Sequence, residues 1–94
     1  MASLQEHEND CYAALGNPFT EVHRWLDEFF RTMGPKHRAI RHHQGGVDEV
    51  RKKWGDDAAQ AAEIHIHKDW DWHPDYRGKI PLKWEAEIWS DNLL

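Results

Sequence analysis

The chain has 94 residues, 39% of them apolar and 31% charged, which suits one folded domain and excludes a disordered one. Its formal charge is −5 with eight neutral histidines, which speaks against direct binding of nucleic acid, where excess positive charge is needed. One cysteine excludes an intrachain disulfide, and the absence of any apolar run near ~18 residues or of a signal-peptide pattern points to a cytoplasmic protein with no membrane partner.

The first expected helix ends at Leu15. Leu4, His7, Cys11 and Leu15 recur at helical spacing, Ser3 with Glu6 reads as a capping box, and Gly16-Asn17-Pro18 closes the element. Thr20 to Met33 follows as a second helix with Val22, Leu26, Phe29 and Met33 on its apolar face, stopped by Gly34-Pro35. Lys36 to Trp54 is the expected organising helix, roughly five turns long. Ile40, His43, Val47, Val50 and Trp54 fall at steps of three or four, so a histidine stands in a core stripe. Gly45-Gly46 costs such a helix about 1 kcal/mol per glycine. A close helix crossing at Gly46 is the favoured account, a break there the alternative.

Gly55 ends that helix, and Asp56 and Asp57 open a fourth, Ala-rich one reaching about Asp69, with acidic groups at the positive end of its dipole. Residues 70–81 carry Pro74, Gly78 and Pro81 without any period and read as an ordered loop pinned by Trp70, Trp72 and Tyr76. Trp84 to Trp89 forms a short last helix with Trp84, Ile88 and Leu82 facing inward, and residues 91–94 a frayed tail. The expectation is a single all-α domain over residues 1–94, a small four-helix bundle whose residues 72–94 form a Trp-rich loop and short helix.

The chemistry lies in histidine and aspartate. His23 with Asp27 and His65 with Asp69 are four apart, so each pair shares a helix face. Such pairs also arise as ordinary surface hydrogen bonds. Three helices contribute, however, and His7 and His43 lie on apolar stripes as well. The expected site is therefore His7, His23, Asp27, His43, His65 and Asp69, converging where the stripes meet. Imidazole nitrogen and carboxylate oxygen without thiolate suit a divalent metal such as Zn, Mn or Fe. Asp27 and Asp69 are the natural groups to orient the histidines. His42 is expected at an interface or in solvent, and His67 and His73 at the surface. Cys11 on an apolar stripe reads as a buried small hydrophobe rather than a nucleophile. Arg38 and Arg41 are candidates to hold an anion. Arg51, Lys52 and Lys53 suit a solvated helix C-terminus. Trp70, Trp72 and Trp89 are candidates to bind a partner, either a host protein complex or a second copy in a homo-oligomer.

The string HRAIRHHQGGV resembles a family of small phage and prophage proteins of unassigned function, whose members read HRA-x-RHH-x-x-G and then an apolar residue. The similarity extends upstream to His7, Gly16, Phe19 and the run from His23 to Asp27. Downstream it takes in Trp54-Gly55, His65-Ile66, Asp69 and Ile80-Pro81. The Ala-rich segment after Gly55 and the Trp-rich end depart from that pattern. The resemblance implies a phage setting and a shared His/Asp cluster, and it supplies no activity. The leading expectation is a phage accessory protein with a His/Asp metal site of structural or weakly hydrolytic use. The alternative is a non-enzymatic, anti-CRISPR-like inhibitor that binds a host defence complex through acidic and aromatic surfaces. A third reading is a module whose histidines only hydrogen-bond in the core.

Overall fold

The computed structural model describes residues 3–91, and the regular structure among them is all helical, without a strand. Helix α1 spans Leu4–Leu15. Ser3 caps it by accepting a hydrogen bond from the Glu6 N–H at 3.2 Å. Gly16 closes it in the left-handed conformation, φ 77°, where its N–H donates to the Tyr12 carbonyl. Two surface bonds tie α1 down. The Thr20 hydroxyl donates to Glu8, and Lys68 pairs with Asp10 at 2.8 Å.

The expected second helix stops early. Helix α2 covers Thr20–Leu26 and α3 only Phe30–Met33, with turns between them. A 3₁₀ turn over Gly34–His37 then leads into the short α4, Arg38–Arg41. The expected long helix from Lys36 to Trp54 is also broken. His42 and His43 leave helical geometry, His43 being fully extended at φ −155° and ψ 177°. Helix α5 starts afresh at Gln44 and runs to Trp54. His43 is its N-cap: one ring nitrogen bonds the Ile40 carbonyl at 2.8 Å, and the other accepts from the Gly46 N–H at 3.3 Å. Gly46 does permit a close approach, but by its own chain. A Cβ there would lie 1.8 Å from the Arg41 carbonyl oxygen.

Helix α6, Asp56–Trp70, is joined to α5 by Gly55 alone, and the two pack together. Ala58, Ala59, Ala61 and Ala62 are all buried, so α6 can take neighbours close on several sides. Helices α1 and α2 lie against it. Val22, Leu26, Val47, Val50, Ile66 and Trp70 form the centre of the core. Cys11 is buried beside it and its thiol donates to the Ala61 carbonyl. Burial, then Asp10, pushes that thiol up to about 11, which suits packing and not nucleophilic attack.

Helix α7, Lys83–Asp91, packs on α4 and buries Ala86, Trp89 and Ser90. The expected inward residues are therefore corrected by register: Trp84, Ile88 and Leu82 are each about half exposed or more. Trp70 and Trp89, expected to bind a partner, are core residues in edge contact at 5.2 Å, and the Trp70 indole N–H donates to the His42 carbonyl. Of that trio only Trp72, 52% exposed, offers surface. His73, expected outside, is buried and stacks on Trp89 at 4.6 Å. His67 is half-buried and hydrogen-bonds the Tyr76 hydroxyl. These contacts pin the loop. Of the expected tail, Asp91 belongs to α7 and 92–94 lie outside the described residues. No helix among the described residues is long and apolar enough to cross a membrane.

Candidate metal centre

Three of the helix ends described above deliver a polar side chain to one place. Asp27 is the residue at which α2 ends, His37 closes the 3₁₀ turn, and His42 sits where α4 breaks. His65 and Asp69 come from consecutive turns of α6, and His7 and His23 from the inner faces of α1 and α2. His7, His23, His37, His42 and His65 are each at most 1% exposed.

Four donor atoms face one another. His42 Nε2 and His65 Nε2 are 3.1 Å apart. Asp69 Oδ2 is 2.9 Å from the first and 3.2 Å from the second. Asp27 Oδ1 is 3.3 Å and 3.2 Å from the same two nitrogens. These are five of the six edges of a tetrahedron. A regular one with edges near 3.1 Å has its centre about 1.9 Å from each corner, close to a zinc–nitrogen or zinc–oxygen bond. The rings also suit shared ligation. An imidazole lone pair lies in its ring plane, so two rings can address one ion only where their planes intersect. His42 and His65 are inclined at 60°.

The histidines around this centre set its protonation. The His23 Nε2 atom lies 2.9 Å from the Pro18 carbonyl, which only accepts, so that nitrogen carries the hydrogen. His23 Nδ1 is then bare and accepts from His65 Nδ1 at 2.9 Å. In the neutral ring His65 Nε2 is left with a lone pair, and it faces two carboxylate oxygens and a third imidazole nitrogen. His37 repeats the pattern: its Nδ1 donates to the Gly34 carbonyl at 2.7 Å, which in the neutral ring turns a bare Nε2 toward Asp27 Oδ1 at 3.0 Å. Lone pairs converging on lone pairs repel unless a cation or protons stand between them.

Where no cation stands between them, the same contacts hold only with the imidazoles donating. Burial alone would raise both aspartates. The contacts of His37, His42 and His65 with Asp27, and of His42, His65 and His7 with Asp69, more than offset it and hold both carboxyls well below the usual range. His23 is pushed down to about 4, first by burial, then by His65 and His7. It stays neutral, as its place in the chain of bonds requires.

His7, His23 and His65 form a second group with nitrogens close together. It is not a ligand triad. His7 and His65 stack with centroids 3.6 Å apart and planes 14° from parallel, so no ion can lie in both planes. His7 instead covers the face of His65 and brings Nε2 to 3.3 Å from Asp69 Oδ1.

Of the six expected residues, five meet here: His7, His23, Asp27, His65 and Asp69. His43 does not; it caps α5. His42 and His37 were missed. His42 was assigned outward because the helix was taken as continuous. Once it breaks, the residue beside the assumed stripe turns in. The expected anion ligands have other surroundings. Arg41 donates to the Trp25 carbonyl and Glu28 and covers the Trp25 ring at 4.0 Å. Arg38 is 4% exposed, its guanidinium 5.9 Å from the Trp70 ring and its Nε without a partner.

No family model, curated protein or solved structure matches this chain.

Proposed function

We propose that the protein binds one divalent cation between Asp27, His42, His65 and Asp69, with His37, His23 and His7 holding those donors in place. The observation that carries this is the lone pair of His65 Nε2. The bonds running from Pro18 through His23 leave it facing two carboxylate oxygens. Charge supports the same reading. Two largely buried carboxylates sum to −2, which one divalent ion cancels, and buried charge left uncancelled is costly. The donors fit zinc, manganese or ferrous iron. The four donors come from three helical segments, α2, α4 and α6, so the ion's first role is structural, and hydrolysis requires an additional position open to solvent. With the phage setting that the HRAIRHH string implies, this is a small accessory protein of phage type acting in the host cytoplasm.

Untagged protein, purified without chelator, is expected to carry close to one equivalent of metal by mass spectrometry and to melt lower after chelation. A metal-free protein whose melting ignores both chelator and added Zn, Mn or Fe overturns the proposal.

A second reading, the non-enzymatic inhibitor of a host complex, is favoured by one observation. Trp84 and Ile88 lie a turn apart on α7 and are 59% and 54% exposed, with Leu82 and Trp72 also open. Large apolar side chains left outside suit a docking surface. Trp84→Ala with Ile88→Ala is expected to abolish inhibition of a reconstituted defence complex. Unchanged inhibition, or none by the wild type, removes this reading.

A further inference from the structure

Asp27 is the one donor of the centre with open surface. Its side chain is 27% exposed, while those of His42, His65 and Asp69 are at 0%. The surface opens into a cleft of about 350 Å³ lined by Ser3, Leu4, His23, Arg24, Asp27, Glu28, Phe30 and Arg31. All three contacts made by Asp27 go through Oδ1, and Oδ2 has no partner among the described residues.

The charges around this mouth are uneven. Glu28 is engaged by Arg41 at 3.2 Å. Arg24 and Arg31, both exposed, have no ion pair among the described residues, although acidic residues outnumber basic ones, 17 to 12. Arg51, Lys68 and Lys79 have ion-pair partners, whereas Lys36, Lys52, Lys53, Arg77 and Lys83 are exposed without one among the described residues, so what sets Arg24 and Arg31 apart is their shared place in the lining of this cleft. Two unpaired guanidiniums thus flank the cleft that leads to the centre. Guanidinium forks match the oxygens of a tetrahedral oxyanion, and a divalent ion behind them would neutralise Asp27, whose carboxylate alone would repel one.

We infer that this cleft binds a phosphate-type dianion, free or as a monoester, with its oxygens held by Arg24 and Arg31 and directed to the open side of the metal centre beside Asp27. The inference rests on the metal reading. It also names where an exogenous ligand would reach the ion, on the side of Asp27 and not through the closed faces of α6.

The test is calorimetric titration of the zinc-loaded, desalted protein with inorganic phosphate and, separately, with phenyl phosphate. Both are expected to bind, at least tenfold tighter than to the chelated protein. If only phosphate binds, the ligand is the free ion; if phenyl phosphate binds more tightly, the cleft takes monoesters. Arg24→Ala with Arg31→Ala is expected to weaken binding about tenfold or more while metal content and the circular dichroism spectrum stay as in the wild type. Both side chains are exposed, so folding should survive. Protein that holds zinc but binds neither ligand, or a double variant that binds as the wild type does, overturns the cleft and leaves the metal centre standing. Protein that takes up no metal overturns both.

Discussion

His42 Nε2 and His65 Nε2 lie 3.1 Å apart in a fully buried space, on rings inclined at 60°. Two neutral imidazoles can be that close nitrogen to nitrogen if one donates to the other. Here each nitrogen also touches Asp27 Oδ1 and Asp69 Oδ2, which only accept when ionised. Either several protons are shared or one cation serves all four. A divalent ion does the second with a single particle and neutralises both carboxylates.

His42→Ala and His65→Ala should therefore each lower metal affinity by more than the roughly 10–100-fold typical of groups outside the ligand shell. His43→Ala should leave affinity unchanged and cost about 0.5–2 kcal/mol of stability, because it removes the cap of α5. Metal content by mass spectrometry and urea unfolding separate the two effects. A loss of metal in His43→Ala equal to that in His42→Ala would contradict this assignment.

Gly46→Ala should destabilise by about 1–3 kcal/mol or prevent folding. The new methyl group would meet the Arg41 carbonyl oxygen at 1.8 Å, and backbone cannot swing aside as a side chain does. Gly45→Ala meets only the His43 ring, at 3.0 Å and beyond, and should cost less. Equal unfolding midpoints for the two variants would show that α4 and α5 are not held as described.

The contrast between these neighbours shows what could be read in advance. Helical stripes located α1, α6 and the inner face that carries His7, His23, His65 and Asp69, because those positions depend only on local period. The identity of the third α6-facing histidine did not. His42 and His43 are adjacent, and which one turns inward depends on where the helix breaks. That break is set by the His43 ring capping Gly46 and by the Arg41 carbonyl seated on Gly46, both invisible in a period. His37 was missed for a similar reason, since it reaches Asp27 only because the chain tightens into a 3₁₀ turn. At the C-terminal end, a shift of register in α7 exchanged Trp84 and Ile88 for Ala86 and Trp89.

Chelated protein should lose stability steadily as pH falls from about 6.5. His23 in the unfolded chain takes up a proton near pH 6.5, whereas in the fold it does so only near 4, so the unfolded state binds the extra proton between these values. His23 alone contributes a slope of about one proton and a total of about 3 kcal/mol, and His43, also lowered by burial, adds loss of the same sign. Below pH 4 the lowered carboxyls of Asp27 and Asp69 add loss of the same sign. Urea midpoints at pH 7, 6, 5 and 4 measure it. Stability that rises toward pH 5 would mean that imidazolium–carboxylate pairs hold the site together without metal.

The most discriminating variant is His23→Leu. His23 is not among the four central donors, yet it fixes which nitrogen of His65 is bare. With leucine in its place the Pro18 carbonyl and His65 Nδ1 both lose their partner. His65 is then free to carry its hydrogen on Nε2 and donate to Asp27 or Asp69, which satisfies the carboxylates without an ion. Metal affinity should fall about 10–100-fold, as for other groups that orient a ligand histidine. Stability of the chelated protein should fall less at pH 5 than at pH 7, relative to wild type, because the leucine variant lacks the His23 imidazole that the fold keeps neutral. His7→Leu offers the comparison. It removes the ring stacked on His65 and the contact to Asp69, but leaves the bonds from Pro18 intact. It should weaken metal binding less than His23→Leu. A folded His23→Leu protein that binds metal as tightly as wild type would show that His65 does not depend on His23 for its free lone pair.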